Sequence, residues 1–328
     1  MKQILGIGNA LVDVMTIIDD DHILEKFDLP KGSMQLVDRT KSEMIKSETI
    51  HFNRNMTSGG SAANTIHGLA MLGAKTGFIG SIGKDELGDF FEKDMKHAGI
   101  NTILFRRNSV TGTAVALISS DSERTFATHL GAAVELEATN LDSGDFCAYD
   151  ILYLEGYLIF NKMLVEKACQ IAKEKKMKVA LDLASYNVVD AKLEDFKGIV
   201  EKYVDIVFAN EEEARSFTGM EPDKALDYIS KFCEITVIKV GCEGSWVKRA
   251  EETIKIGTVQ VNLKDTTGAG DLYASGFLYG YANGLNLGKC GLLGSLMAGK
   301  VIEIVGARME EPRFDEIKKA VKKVIESD

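Results

Sequence analysis

Proline is scarce in this chain, with three residues in 328. That leaves no Pro-rich hinge between domains, and no linker, low-complexity segment or internal repeat interrupts the sequence. The five cysteines (Cys147, Cys169, Cys233, Cys242, Cys290) are scattered, odd in number and form no Cys-x-x-Cys pair. Neither a disulfide framework nor a zinc site is suggested, and reduced thiols are the expectation. Basic charge is also short: 39 Lys and Arg face 49 Asp and Glu, for a net charge of −10 and a pI near 5.2. No basic stripe exists to neutralise a phosphate backbone, which argues against nucleic acid as the main partner. A nucleotide needs only a local site. The lysines at 318, 319, 322 and 323 alternate with Ile317, Val321, Val324 and Ile325, as on the wet face of an amphipathic helix. No apolar run is long enough to span a membrane. The run from Lys2 to Ile18 is broken by Asn9 and Asp13 and ends in Asp19-Asp20-Asp21, without a small-residue cleavage site. A soluble, cytoplasmic protein is expected. The five histidines (His22, His51, His67, His97, His129) show no metal-ligand spacing, and no Gly-x-Ser-x-Gly elbow accompanies them.

What is present is a globular composition, 45% apolar and 27% charged. Strand-like apolar runs at 4–8, 76–82, 151–154, 179–183, 206–209 and 236–240 alternate with helical patterns at 62–72, 86–97, 162–175 and 225–232. Gly99 follows the second of these as a C-cap. Such alternation implies β-α-β units and a parallel sheet with helices on both faces. Two regions break it. Residues 12–54 carry short strand-like pieces at 14–18, 34–37 and 50–53 around Pro30-Lys31-Gly32, and residues 102–130 carry pieces at 103–106, 113–119 and 124–129. These read as antiparallel material inserted into one α/β domain spanning 1–328, a small sheet able to act as a lid.

The most informative segment is Asp265-Thr266-Thr267-Gly268-Ala269-Gly270-Asp271, followed by a helical run from Leu272. Residues as small as Gly268, Ala269 and Gly270 let a substrate approach the backbone. The first N–H groups of a helix lack internal partners, and the helix dipole adds positive charge there. Asp271, one step on, could orient a hydroxyl and take its proton late, as phosphoryl transfer requires. The same pattern also describes a Gly-rich turn with Asp271 as an ordinary first-turn acid.

Gly59-Gly60-Ser61-Ala62-Ala63-Asn64 opens another helix, with two glycines that let a ligand lie on the main chain and Asn64 suited to vicinal hydroxyls. The local alternative is a tight turn with Ser61 as N-cap. Asp13 follows the first strand, where α/β proteins bind ligands; a surface Asp is the alternative. Asn210 and Glu213 have capping-box spacing, and alternatively could position phosphate and Mg²⁺ through water. Lys239-Val240-Gly241-Cys242-Glu243-Gly244 could pass beneath nucleotide phosphates or simply turn a hairpin. The stretch 294–301 nearly spells a P-loop, but Val301 stands where a Ser or Thr hydroxyl is needed, so it reads as a closely packed helix.

Taken in order, these segments, together with Gly8-Asn9 through Asp13 and Gly80-x-x-Gly83-Lys84-Asp85-x-x-Gly88, resemble the ribokinase (PfkB) family of carbohydrate and nucleoside kinases along nearly the whole chain. The resemblance implies a ribokinase-like three-layer α/β/α sandwich with a mostly parallel central sheet and a small β lid that often forms a homodimer contact. It implies transfer of phosphate from ATP, with Mg²⁺, to a primary hydroxyl. Asp271 would be the base and Gly268–Gly270 the anion hole. Asp13, Gly59, Gly60 and Asn64 would contact the sugar hydroxyls. Asn210, Glu213, Lys239, Gly241, Gly244 and Thr267 would serve the nucleotide, Glu213 reaching Mg²⁺ through water. Many members hold K⁺ near the anion hole, and Asp265, Thr267, Val301 and Gly306 are the positions for it. The stretch 6–14, the long lid segment and Arg124-Thr125-Phe126 with Leu130-Gly131-Ala132 look more like adenosine-kinase-type members, which implies the 5′-hydroxyl of a nucleoside as acceptor. Phe126, Tyr157, Phe160 and Tyr186 are the aromatic candidates for stacking on a base, with core packing the preferred reading of each. A sugar kinase acting on ribose, fructose or a related ketose is the alternative; a non-catalytic binding protein is a remote one. A dehydrogenase is disfavoured, because Leu11 stands where Gly6-x-Gly8 needs its third glycine.

Overall fold

The computed structural model describes residues 1–121 and 123–326. Two sheets organise it. The larger joins β1 (Ile4–Ile7), β5 (Thr76–Gly83), β6 (Asn101–Arg107), β9 (Ile151–Glu155), β10 (Lys178–Asp182), β11 (Ile206–Asn210), β12 (Ile235–Lys239), β13 (Ser245–Arg249) and β14 (Glu252–Ile256) in the order β14-β13-β12-β11-β10-β9-β1-β5-β6. All its pairings are parallel up to β12; β13 and β14 add an antiparallel edge. The smaller sheet joins β2 (Leu11–Ile17), β3 (Met34–Leu36), β4 (Arg54–Gly59), β7 (Gly112–Ile118) and β8 (Arg124–His129) in the order β3-β8-β7-β2-β4.

Parity explains the large sheet. Successive side chains point to opposite faces. Ile151 and Tyr153 enter one apolar layer with helices Ser61–Met71 and Ala269–Ala282, while Leu152 and Leu154 enter another with helices Lys162–Glu174 and Leu193–Tyr203. Both faces are therefore dry, which is why β1, β5 and β9 are buried at every residue and appear in the sequence as unbroken apolar runs. Helix Glu86–His97 has its expected bounds, capped by Asp85, with Gly99 at φ +78° just beyond it. The 294–301 stretch lies in helix Leu287–Val301. Its Gly294 abuts the Tyr273 ring, so a methyl there would come within 2.9 Å.

Several expectations need correcting. The piece at 103–106 belongs to β6, parallel to β5 in the large sheet. Residues 50–53 are a turn, and the strand comes after them as β4. The small sheet is mixed, since β2 pairs in parallel with β7 and β3 with β8. The region 12–54 also holds helix Arg39–Glu48, whose N-cap Asp38 accepts from the Lys41 N–H. The last expected helix starts earlier, at Pro222, a residue suited to a first turn. Among the described residues, no helix is long and apolar enough to cross a membrane.

Candidate active site

The carboxyl ends of the parallel strands, the end of such sheets where ligands bind, gather most of the charged groups singled out above. Helix Ala269–Ala282 begins there. Its N-cap Gly268 has φ +75°, and a methyl on it would sit 2.5 Å from Ala307 Cβ, so only glycine fits. The Ala269 N–H is committed to the Thr266 carbonyl at 3.1 Å, which corrects the expectation that it is free. The open donors are the N–H groups of Gly268, Gly270 and Asp271, which find no acceptor among the described residues.

Asp271 accepts from Ser61 Oγ at 2.7 Å and from Asn64 Nδ2 at 3.0 Å. Burial raises its pKa; the bonds from Asn64 and Ser61 oppose that rise. Ser61 is thus not the N-cap of its helix. Gly60 takes that position at φ +98°, where a methyl would meet the Asn9 carbonyl at 2.1 Å. Asn64 is buried, and its Oδ1 has no partner, an acceptor left for a ligand hydroxyl. Asp13 lies against Gly59, whose missing Cβ would be 2.2 Å from Asp13 Oδ1. Burial pushes the Asp13 carboxyl up to about 7, opposed by Arg308 and reinforced by Asp271. Asp13, Gly59, Gly60, Asn64 and Asp271 therefore form one cluster, assembled from three stretches of chain, with Ser61 and Asp271 meeting across 210 positions in sequence.

A second cluster borders it. Lys239, at the end of β12, donates to Asp182 Oδ2 at 3.0 Å. Its Nζ lies 3.1 Å from the place a Gly270 side chain would occupy. Burial alone would lower the Lys239 pKa, but Asp182, Glu213 and Asp271 outweigh it and raise it. Asn210 and Glu213 form the capping box: the Asn210 side chain accepts from the Glu213 N–H, and the Glu213 carboxylate accepts from the Asn210 N–H, each at 2.8 Å. Burial raises the Glu213 pKa, with Lys239 opposing and Asp182 adding. Gly241 and Gly244 shape the β12–β13 hairpin; Gly244, at φ +96°, has the Ile256 carbonyl 1.9 Å from its missing Cβ. Thr267 and Gly306 donate their N–H groups to Asp265, at 2.9 and 2.5 Å. Val301 is fully buried, and its carbonyl accepts from Ile304 at 3.1 Å.

Three groups escape a reading of the sequence. Glu155, at the end of β9, accepts from the N–H groups of Asn9 and Ala62, at 3.0 and 2.8 Å, and from Asn9 Nδ2 at 2.6 Å. It ties the first strand's loop to the Gly59–Asn64 turn, and burial pushes it up to about 7. A lone acid closing an apolar strand was its only signal. Asp182 closes β10 in the same way. Arg308 donates from Nε to the Ser58 carbonyl at 2.6 Å and from Nη2 to Ser58 Oγ at 2.7 Å. Burial lowers its pKa to about 10 against the pull of Asp94, Asp13 and Asp271, and Nη1 is buried without a partner. No local pattern marks it. Of the aromatic candidates, Phe160 is 61% and Tyr186 43% exposed. Tyr157 sits among Asp271, Glu155 and Glu213, which with burial raise its pKa. A cavity of about 590 Å³ lined by Met1, Lys2, Asp150, Arg249 and Tyr281 opens at the opposite end of the sheet, where the strands begin.

Open N–H donors beside a half-buried lysine can hold a phosphate, and a carboxylate fixed next to them can orient a hydroxyl. Comparison with known proteins agrees with that chemistry. The model of the pfkB family of carbohydrate kinases matches residues 33–313. A 5-dehydro-2-deoxygluconokinase from Listeria innocua is 30% identical over 315 residues, covering 90% of this chain and 96% of its own. An adenosine kinase from Sinorhizobium meliloti superposes with a TM-score of 0.88 at 33% identity, over 97% of this chain and 99% of that one. A probable sugar kinase from Rhizobium etli superposes with a TM-score of 0.89 at 32% identity, over 97% and 98%. The chain therefore has the ribokinase-like fold and belongs to the pfkB carbohydrate kinase family, as a phosphotransferase with an alcohol group as acceptor.

Proposed function

We propose that this kinase phosphorylates the 5′-hydroxyl of a nucleoside, with adenosine as the lead substrate, in the cytoplasm. The observation that carries this reading is the register of the small sheet. Paired residues share a face, so Thr57, Asp13, Ala114, Thr128 and Leu36 form one row and Asn55, Met15, Ala116, Phe126 and Met34 the next. Three contacts turn that face toward the reacting groups: Asp13 on Gly59, Met15 against Gly306, and Arg124 on Asp265. Beyond Asp13 the face is mainly apolar, and Leu36 and Met34 stand 65% and 47% exposed. A flat base with an apolar face covers such a surface, whereas a free sugar carries hydroxyls all round. The small sheet then acts as the lid over the site.

In the reaction, Asp13 and the Asn64 Oδ1 hold the ribose hydroxyls, with Gly59 and Gly60 letting the ring lie on the backbone. Asp271, held by Ser61 and Asn64, aims the primary hydroxyl and receives its proton late. An ordinary Asp is too weak a base to ionise an alcohol beforehand, so positioning is its main contribution. The N–H groups of Gly268, Gly270 and Asp271 take up the charge that develops on the moving phosphoryl group. ATP, the phosphoryl donor that family membership implies, supplies the activated phosphate. The residues fit it: Lys239 and the open amides suit its phosphates, beside Thr267, Gly241 and Gly244. Asn210 and Glu213, together with Asp182, suit waters around Mg²⁺. The edge strands β3 and β4 each leave one edge without a strand partner among the described residues, and pairing of two copies there would give a homodimer, tested by sedimentation.

The deciding experiment is an ATP-consumption screen over nucleosides and free sugars. Turnover of adenosine well above that of ribose, fructose and other ketoses supports the proposal. Rapid turnover of free sugars with none on nucleosides overturns it in favour of a sugar kinase.

A further inference from the structure

Asp265 is where the family resemblance would place K⁺, and its surroundings do not fit a free cation. Its side chain is 3% exposed. Oδ1 accepts from the Thr267 N–H, and Oδ2 from the Gly306 N–H. The remaining charge is met by a guanidinium from the small sheet, since Arg124 Nη1 forms an ion pair with Asp265 Oδ1. Arg124 is itself 9% exposed in its side chain and pairs with no other carboxylate among the described residues, while its Nε is buried without a partner. A buried carboxylate needs a compensating positive charge, and here the chain supplies it.

What this pair holds matters more than the pair. The Asp265 N–H is fixed on the Ile302 carbonyl at 3.1 Å. Its carboxylate then fixes Thr267 and Gly306, the residues flanking the two sides of the donor turn. Gly306 leads into Ala307, which packs on Gly268. Arg124 opens β8, so the contact exists only while the small sheet lies against the turn.

We propose that the Arg124 guanidinium takes the place of a bound monovalent cation at Asp265, making Arg124 a positioning residue that sets the Gly268–Asp271 donor turn as the small sheet closes. This holds whether the acceptor is a nucleoside or a sugar.

The test compares the wild type with Arg124→Ala in potassium chloride and in tetramethylammonium chloride at equal ionic strength. It reads turnover with whichever acceptor the screen identifies, and amide hydrogen exchange at Thr267 and Gly306 without substrate. In the wild type, both readouts should be the same in the two salts. In Arg124→Ala, kcat should fall roughly 10- to 100-fold, the scale of a misplaced catalytic group. The two amides should lose protection, and potassium or dilute guanidinium chloride should restore part of both. Arg124→Gln, which keeps much of the side-chain volume, repeats the test if the alanine variant is unstable. A wild type that needs potassium for turnover or for amide protection overturns the proposal without any variant. So does a variant with unchanged kcat and protection, or a loss that neither potassium nor guanidinium repairs.

Discussion

The two sheets solve different problems. Every residue of β5 in the large sheet is buried, whereas β3 in the small one has both its end residues exposed. The large sheet is held by apolar layers on both faces and needs nothing further. The small sheet has one face packed on helices and the other turned toward the candidate site, where part of its apolar surface stays in water. Groups at the ends of the large sheet should therefore govern chemistry and stability. Those on the inner face of the small sheet should govern which substrate is held.

The strongest challenge to that contrast is Asp271→Asn. It should cut kcat by about 10²- to 10⁴-fold, the usual contribution of a positioned base, while calorimetric ATP binding and the melting temperature hold. Near-wild-type turnover would remove Asp271 from the chemistry. Next comes Gly60→Ala, which forces a side chain into a left-handed conformation against the Asn9 carbonyl. A loss of about 1–3 kcal/mol in denaturant unfolding is expected, together with a raised KM for the acceptor. Leu36→Ala should do the reverse. It should lower kcat/KM for adenosine roughly tenfold, the scale of lost apolar contact in a pocket, and leave the melting temperature within about 1 °C, because the residue is exposed. An equal loss on ribose would show that the apolar face does not select a base.

The smallest effect concerns pH. Glu155 rises from an ordinary 4.5 to about 7 on folding, so the native state holds its proton more tightly than the unfolded chain. That stabilisation is complete below 4.5 and is lost as pH climbs to 7. Glu155→Gln has no proton to lose, so the decline of its stability in urea between pH 5 and pH 6 should be shallower, by about 1 kcal/mol. Parallel curves for the two proteins would mean that Glu155 stays ionised.

Legibility in the sequence followed the same division. Strands buried on both faces appeared as apolar runs, and β1, β5, β9, β10, β11 and β12 were found within a residue or two of their bounds. The small sheet was harder to read. Its strands β4 and β8 are mainly polar, the 50–53 piece proved to be a turn, and the parallel pairing of β2 with β7 cannot be seen in turn signals. In the site, the glycines at 60 and 268 were legible because a backbone that must turn left-handed calls for them locally. The capping box of Asn210 and Glu213 was legible for the same reason, since its partners lie three residues apart.

The amino-acid order alone determined the alternation of buried strands with helices and the shape of the turn that opens helix Ala269–Ala282, because both depend on neighbours within a few positions. Tertiary structure alone decided that Ser61 faces Asp271 rather than capping its helix, that Glu155 clasps Ala62 across 93 positions, and that Arg308 reaches Ser58 across 250. A buried charge takes its meaning from the partner that compensates it, and a chain read one residue at a time does not reveal which partner folding will bring.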